Sequence, residues 1–298
     1  QNYAYTATVT VSAIVPVQAG YDFLGWNTQS NGLGTSYSAA ATFAMPANSV
    51  TLYAQWSLST YSVYYNANGG VGTINSQAGR YNSNITLTST TPTRTGYTFA
   101  GWNTSADGTG TSYSSSGTFT IPASNTILYA QWTAITYTLT YDANSGTGAP
   151  AAATGKTFGE AVTLSATAPT RTGYYFSGWN TAANGGGTAQ AAGSTFSMPA
   201  SNVTLYAQWT AINYNVTYNG NAPSGQSVTG SQSDATNYIS GATVTALNAG
   251  TLAVTGYRFV GWNTAANGTG SDYVAGGTLS MPVGGVTLYA KWVLNSIR

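Results

Sequence analysis

A mostly β chain, laid out as a tandem array of four small modules in an elongated rod, is what this sequence predicts. Two observations carry that reading. Gly-Trp pairs place Trp at positions 26, 102, 179 and 262, and a second Trp follows 30 residues later each time, at 56, 132, 209 and 292. These eight are all the tryptophans of the 298-residue chain, so the repetition is internal and sets the architecture. The segments around them alternate apolar and polar residues with period two, and no long segment shows a helical period.

The elements follow in order within each module. Three modules open on Tyr-x-(Val/Leu)-x-Tyr, in YSVYY from Tyr61, YTLTY from Tyr137 and YNVTY from Tyr214. Aromatic and branched residues alternating with polar ones read as a first strand. Runs such as YNANGG and YDANSG then supply turn chemistry. The next strand ends in the Gly-Trp pair, in GYDFLGW, GYTFAGW, GYYFSGW and GYRFVGW. Strict alternation puts Tyr97, Phe99 and Gly101 on one face with Trp102 opposite; a bulge at Gly101 would instead turn Trp102, as isolated strand glycines often do. A loop follows, SADGTG in the second copy with SNGLG, ANGGG and ANGTG as counterparts. Its (Asn/Asp)-Gly-x-Gly core is a turn signature, since Asn and Asp tolerate positive φ and Gly has no Cβ to clash. The closing strand TLYAQW groups Leu128, Ala130 and Trp132 on one face and Tyr129 and Gln131 on the other. Short linkers, SLST and TAIT, join the modules.

The distance from the first Trp to the proline of MPA, IPA or MPV (Pro46, Pro122, Pro199, Pro282) is 20 in every copy. The extra residues of the last copy therefore lie in its N-terminal half, around NAPSGQSVTGSQSDATNYISG. Module boundaries fall at 1–58, 59–134, 135–211 and 212–298. Aligned on Gly20 and Tyr21, the first module begins late: Gln1 falls opposite Thr154, past the strand YTLTY. Module 1 is expected to lack its opening strand, and the sequence after Trp292 reaches about Ile297 where another such strand would begin. An unfilled strand position leaves unpaired backbone groups and an open apolar seam. Either the chain is a fragment of a longer array, or a strand from another chain completes module 1 in a head-to-tail noncovalent fibre. Tyr3 and Tyr5 in QNYAYTA, and Leu294 and Ile297 in the tail, are the candidate interface residues of the second reading.

Composition narrows the function. Only 13 residues (7 basic plus 6 acidic) carry charge, 4% against about 25% in ordinary domains. Seven scattered basic residues make a poor partner for nucleic acid or an anionic membrane. No stretch of about 18 apolar residues predicts a membrane span, and an opening on Gln1 reads as a processed or excised product. With no Cys and no His, disulfides, the usual zinc sites and a His-activated nucleophile are excluded by inventory. The acids Asp22, Asp107, Asp142, Glu160, Asp234 and Asp272 occupy non-equivalent module positions, so repetition builds no acid/base pair. The Gly-rich loop lacks the Lys and helix of a phosphate cradle and the carboxylates of a calcium loop. No enzyme, metal or cofactor is expected. Lys156 near Glu160 reads as an ordinary surface pair in preference to an isopeptide crosslink.

The residues left for a role are aromatic and polar. Trp26, Trp56, Trp102, Trp132, Trp179, Trp209, Trp262 and Trp292 are assigned to the module cores in preference to sugar stacking. Tyr53, Tyr129, Tyr206 and Tyr289 fall opposite the Leu and Trp face and are candidates for a module interface or a ligand surface. Asn-x-(Ser/Thr) sequons stand at Asn84, Asn103, Asn202, Asn215 and Asn267 and are candidate glycosylation sites.

Gly-Tyr-x-Phe-x-Gly-Trp followed at fixed spacing by Leu-Tyr-Ala-x-Trp resembles the Listeria–Bacteroides repeat family, which includes the internalin B-repeat. The resemblance covers essentially the whole chain. It implies β-grasp-like modules, usually in tandem in secreted or surface-attached bacterial proteins. Most charged positions are replaced here by Ser, Thr, Asn and Ala, so recognition by charge does not carry over. The resulting expectation is an extracellular structural or adhesive repeat protein, a cell-surface stalk or filament subunit partnered by itself or by neighbouring repeats. The alternative is a tandem binding module that recognises surface glycans or a host protein through repeated Tyr and Asn faces.

Overall fold

The computed structural model describes residues 1–296, and over them the chain is strands and turns with no helix. Ile297 lies outside the described residues. Two compact units divide the chain, Gln1–Thr136 with modules 1 and 2, and Tyr137–Arg298 with modules 3 and 4.

Module 2 shows the complete plan. Its central sheet has five strands in the order Ser112–Tyr113, Tyr97–Asn103, Thr126–Ala134, Thr60–Asn66 and Gln77–Arg80. The Gly-Trp strand Tyr97–Asn103 and the closing strand Thr126–Ala134 form an antiparallel ladder. On its other side the closing strand takes the opening strand Thr60–Asn66 in parallel, Thr126 opposite Val63 and Tyr129 opposite Asn66. Parallel neighbours need a long crossover, and that crossover carries a second ladder, Asn84–Thr86 with Thr118–Thr120. Between the two ladders lies the core: Val63, Leu87, Trp102, Phe119, Ile121, Leu128 and Ala130 are all buried. Module 3 repeats this arrangement, with its opening strand Thr136–Asp142 parallel to Val203–Ala211. In module 4 the opening strand is broken at Asn215 into Asn213–Tyr214 and Val216–Asn219, the latter parallel to Val286–Leu294. Its longer N-terminal half adds the ladder Val228–Thr229 with Ala253–Val254.

Strict alternation fails at the Gly-Trp strand, and the bulge reading describes it. Phe99 pairs with Trp132 and Gly101 with Gln131, so Ala100 is the extra residue. Gly101 takes φ +135, and a Cβ there would meet the Tyr113 carbonyl at 2.7 Å. The bulge puts Phe99 and Trp102 on the same side, their rings edge to face at 5.0 Å.

The expected linkers are strand. Ser57 and Leu58 end one strand and Thr60 starts the next, with only Ser59 between; Thr133 and Ala134 lead to Thr136 through Ile135 alone. Each connecting residue is held: Ser59, Ile135 and Ile212 donate their N–H to the carbonyls of Gly20, Gly96 and Gly173 at 3.0, 2.9 and 2.9 Å. The sequence SLST reads as a linker by composition, but the Gly-Tyr turn of the preceding hairpin supplies the acceptor that keeps it extended. At the junction of modules 1 and 2 the Tyr81 ring packs edge to face on Tyr21 at 5.8 Å.

Candidate functional site

The opening strand carries the pieces that complete a module. Val63, Leu139 and Val216 are buried in their cores. Two residues on, Tyr65, Tyr141 and Tyr218 lie against Trp102, Trp179 and Trp262 with ring centroids 4.8, 4.8 and 4.7 Å apart. Their hydroxyls accept the backbone N–H of Thr88, Ser165 and Leu247 at 3.3, 2.9 and 3.0 Å, and Tyr65 also donates to Gln77 Oε1. Burial raises the pKa of Tyr65 and Tyr218 above the ordinary tyrosine value, because the phenolate would be desolvated.

The turn after the strand then latches it. Asn68, Asn144 and Asn221 take φ of 48, 46 and 45, a left-handed conformation that Asn tolerates better than most residues. Each Nδ2 bridges two carbonyls: Asn68 donates to Ala106 and Ala130, both at 2.9 Å; Asn144 to Ala183 and Ala207, both at 2.8 Å; Asn221 to Ala266 and Ala290, both at 3.1 Å. The second Trp is fixed by the same turn, since Trp132 Nε1 donates to Ala67 and Asn68 and Trp209 Nε1 to Ala143 and Asn144. Trp292 Nε1 donates to Gly220 at 2.8 Å.

Module 1 has the receiving side of this arrangement and, among the described residues, no opening strand. Its sheet has three strands, Ser36–Tyr37, Tyr21–Asn27 and Tyr53–Leu58. The closing strand begins only at Tyr53, whereas Val50, Thr51 and Leu52, the counterparts of Thr126 to Leu128, lie outside any ladder. Trp26 is half-buried where Trp102, Trp179 and Trp262 are fully buried, and Leu52, Ala54 and Met45 are likewise only half-buried. The flank is apolar as well: Ile14, Val15 and Val17 are 79%, 51% and 98% exposed. At the Val17 position the other modules pair Thr93 with Val71 and Thr170 with Thr147, while module 4 pairs Ala253 with Thr229. This flank of module 1 is thus apolar, and the closing strand Tyr53–Leu58 has an unpaired edge among the described residues.

The other sequence-selected residues are distributed as follows. Trp56, Trp132, Trp209 and Trp292 are half-buried, packed on Phe23, Phe99, Phe176 and Phe259 at 5.6 to 5.9 Å. Tyr53 is exposed, and Tyr129, Tyr206 and Tyr289 are half-buried. Tyr3, Tyr5 and Leu294 are exposed, and residues 1–5 form no strand. Asn84, Asn202, Asn215 and Asn267 are exposed. Asn103 is not a glycan acceptor in the folded chain, because it is fully buried and hydrogen-bonded. Lys156 and Glu160 form a surface ion pair at 2.9 Å, which with the Thr157 N–H holds the Glu160 carboxyl below its usual range.

Asn103 belongs to a set that sequence reasoning missed. Asn27, Asn103, Asn180 and Asn263, each following Gly-Trp, are buried and organise the Gly-rich loop. Asn27 Nδ2 donates to Gly32 O, Gly34 O and Ser36 Oγ, while its Oδ1 accepts from Gln29 N and Gly34 N. Gly34 is required because a Cβ there would lie 2.3 Å from Thr28 Oγ1. The signal was available: the same residue type follows Trp in all four copies, immediately before a turn. The loop is therefore scaffolding, and its repetition follows from repetition of the fold.

Four copies of one small module, each with a Gly-Trp hairpin and a parallel opening strand where that strand is present, define a tandem β-repeat protein. The sequence matches the model of the Listeria-Bacteroides repeat domain over residues 1–55, 61–131, 137–208 and 214–291. The chain belongs to that family. It is similar to a "Putative Gly-rich membrane protein" of Evansella cellulosilytica, 31% identical over 286 residues that make up 93% of this chain and 31% of the relative. A "Putative membrane protein" of the same organism is 31% identical over 284 residues, 95% of this chain and 40% of the relative. Internalin H of Listeria monocytogenes is 40% identical over 121 residues, 41% of this chain and 20% of that protein. The chain thus spans well under half the length of these relatives. No helix among the described residues is long and apolar enough to cross a membrane.

Proposed function

We propose that this chain is the extracellular repeat region of a surface protein, serving as structural or adhesive material in a stalk or filament. Its composition supports that reading, since only 13 of the 298 residues carry charge. The names of the relatives, two membrane proteins and an internalin, are compatible with the same address. The observation that carries the finer proposal is the open groove of module 1. In this reading a segment of a neighbouring copy, the tail around Leu294 or QNYAYTA at residues 1–7, pairs at the open edge of module 1 by strand addition and joins copies head to tail. The exit of module 4 supports the direction, because Asn295 N donates to Gly256 O at 2.8 Å as Ser59, Ile135 and Ile212 do at the internal junctions. Occupancy would bury one aliphatic and one aromatic side chain, each worth about 1.5–3 kcal/mol.

The test uses the purified chain and a synthetic peptide of residues 134–146, AITYTLTYDANSG. Negative-stain electron microscopy over rising concentration is expected to show filaments, and the peptide is expected to cap them and to shift Trp26 fluorescence to the blue. Monomers that bind the peptide would place the donor within a longer polypeptide and refute the filament. Monomers indifferent to the peptide would refute the groove as an acceptor.

A further inference from the structure

The crossover of modules 2 and 3 ends in the same hexapeptide, PTRTGY, at Pro92–Tyr97 and Pro169–Tyr174. In both, this segment borders a surface groove, of about 380 Å³ in module 2 and about 800 Å³ in module 3, sizes within the range of small-ligand sites. Each groove is built rigidly. Its floor is fixed by paired backbone bonds, Val71 with Thr93 at 2.7 and 2.9 Å and Thr147 with Thr170 at 2.8 and 2.9 Å. One wall is the second tryptophan, Trp132 or Trp209, with its indole N–H already satisfied by the turn. Gly70 and Gly146 permit the close approach, since a Cβ would lie 2.4 and 2.5 Å from the indole rings.

The other wall is an arginine. Arg94 lies over the Tyr97 ring at 4.1 Å and Arg171 over Tyr174 at 3.9 Å. Both are half-buried. Among the described residues neither has a carboxylate within ion-pair distance nor a hydrogen-bond acceptor, the ion pairs being Lys156–Glu160 and Lys291–Asp272. A guanidinium offers five N–H donors in a fork that matches a carboxylate. Two of the chain's seven basic residues are thus held at equivalent places, oriented by an aromatic ring and unused. Modules 1 and 4 carry Gln18 and Val254 at the corresponding position.

We propose that each PTRTGY groove binds an acidic saccharide, the uronate carboxylate on Arg94 or Arg171 and the apolar face of the pyranose against Trp132 or Trp209. The aromatic wall distinguishes this ligand from a bare anion, and the unpaired guanidinium distinguishes it from a neutral sugar. The inference is independent of the assembly proposed above, and it places recognition away from the outer-face tyrosines Tyr53, Tyr129, Tyr206 and Tyr289.

The experiment follows the eight indole N–H resonances of the full chain by NMR during titration with hexagalacturonate, with maltohexaose and inorganic phosphate as comparison probes. Hexagalacturonate is expected to shift Trp132 and Trp209 and to leave Trp56 and Trp292 in place, with maltohexaose at least about tenfold weaker. R94Q is expected to weaken binding at Trp132 alone, and R171Q at Trp209 alone, by about tenfold or more, the loss typical of a charge-assisted hydrogen-bonding partner. Gln stands naturally at this place in module 1, and unchanged indole spectra of the free variants check their fold. No shift at millimolar hexagalacturonate, shifts spread equally over all four second tryptophans, or displacement by equimolar phosphate would each overturn the proposal.

Discussion

Replacing Asn103 with Ala tests whether one buried amide organises the Gly-rich loop. Asn103 donates through Nδ2 to Gly108 O and Gly110 O, both at 3.2 Å, and to Ser112 Oγ at 2.9 Å, and accepts from Ser105 N at 2.8 Å. At about 0.5–1.5 kcal/mol net for each bond, with buried partners left unpaired, N103A should cost about 3 kcal/mol locally. That corresponds to roughly a hundredfold rise in the opening equilibrium. Hydrogen exchange resolved by mass spectrometry on the full chain reads it directly, because local opening controls amide protection. Peptides covering 101–113 should exchange about a hundredfold faster, while 178–190 in module 3 stays unchanged. N103D should be at least as disruptive, since a carboxylate keeps the acceptor but faces two carbonyls without a donor. A change below about threefold in 101–113 would mean that backbone turn propensity alone holds the loop, and the reasoning would be wrong.

Three further perturbations have defined outcomes. G20A places a Cβ 2.2 Å from the Tyr81 ring at φ +82, whereas G256A has the same φ of +82 and nothing within 4 Å. G20A should therefore loosen the junction at Ser59, seen as proteolysis there, while G256A pays only the left-handed backbone term of about 1 kcal/mol; equal effects would refute packing at the junction. W262F should destabilise more than W179F by about 1–2 kcal/mol, since Trp262 Nε1 donates to Leu247 O at 2.7 Å and Trp179 Nε1 is buried without a partner; exchange in 286–294 against 203–211 measures the difference. Thermal melts should be flat between about pH 5 and 9. Asp107 is lowered to about 2 by hydrogen bonds from Ser105 and then Thr109, Glu160 is lowered by Lys156, and Asp272 is lowered by Lys291 and Asn263. Depressed carboxyl pKa values stabilise above the unfolded value near 4, and that stability disappears as pH falls toward 2. Tyr65 and Tyr218, raised by burial, contribute below pH 10 and lose that contribution above it. A midpoint shift of many degrees within pH 5 to 9 would contradict this.

What was legible in the sequence was local. GYTFAGW and its partner strand are close in sequence, each carries its own alternation, and a constant 30-residue separation of the two Trp admits one hairpin register. The parallel pairing of Val63 with Thr126 joins residues 63 apart and leaves no pattern in either segment, so YSVYY read as a strand without revealing its neighbour. The same distance hid the role of Asn68, whose two acceptors, Ala106 and Ala130, belong to other elements. Asn103 misled because Asn-Thr-Ser satisfies a sequon by composition, while its burial depends on the fold. Strand alternation misassigned nothing in the closing strand, but at the Gly-Trp strand only Gly101, with φ +135, could signal the extra residue.

Local and distant parts of the module also differ in what they require. The hairpin Tyr21–Asn27 with Tyr53–Leu58 stands in module 1 without an opening strand, so its ladder and its Phe23–Trp26 contact at 5.4 Å do not depend on one. The opening strand spans the longest separation in the module, so its pairing carries the largest loop-closure cost. With 4% charged residues, no electrostatic code selects which strand arrives. Selection rests on shape and register: Tyr, Val or Leu, and Tyr must alternate inward, and a slip by one residue would turn all three outward. The left-handed Asn then bridges two carbonyls and stops the strand at one position. None of these contacts distinguishes a strand in the same polypeptide from one in another chain. Under the strand-addition proposal, selectivity would therefore have to come from this alternation and from the Asn latch.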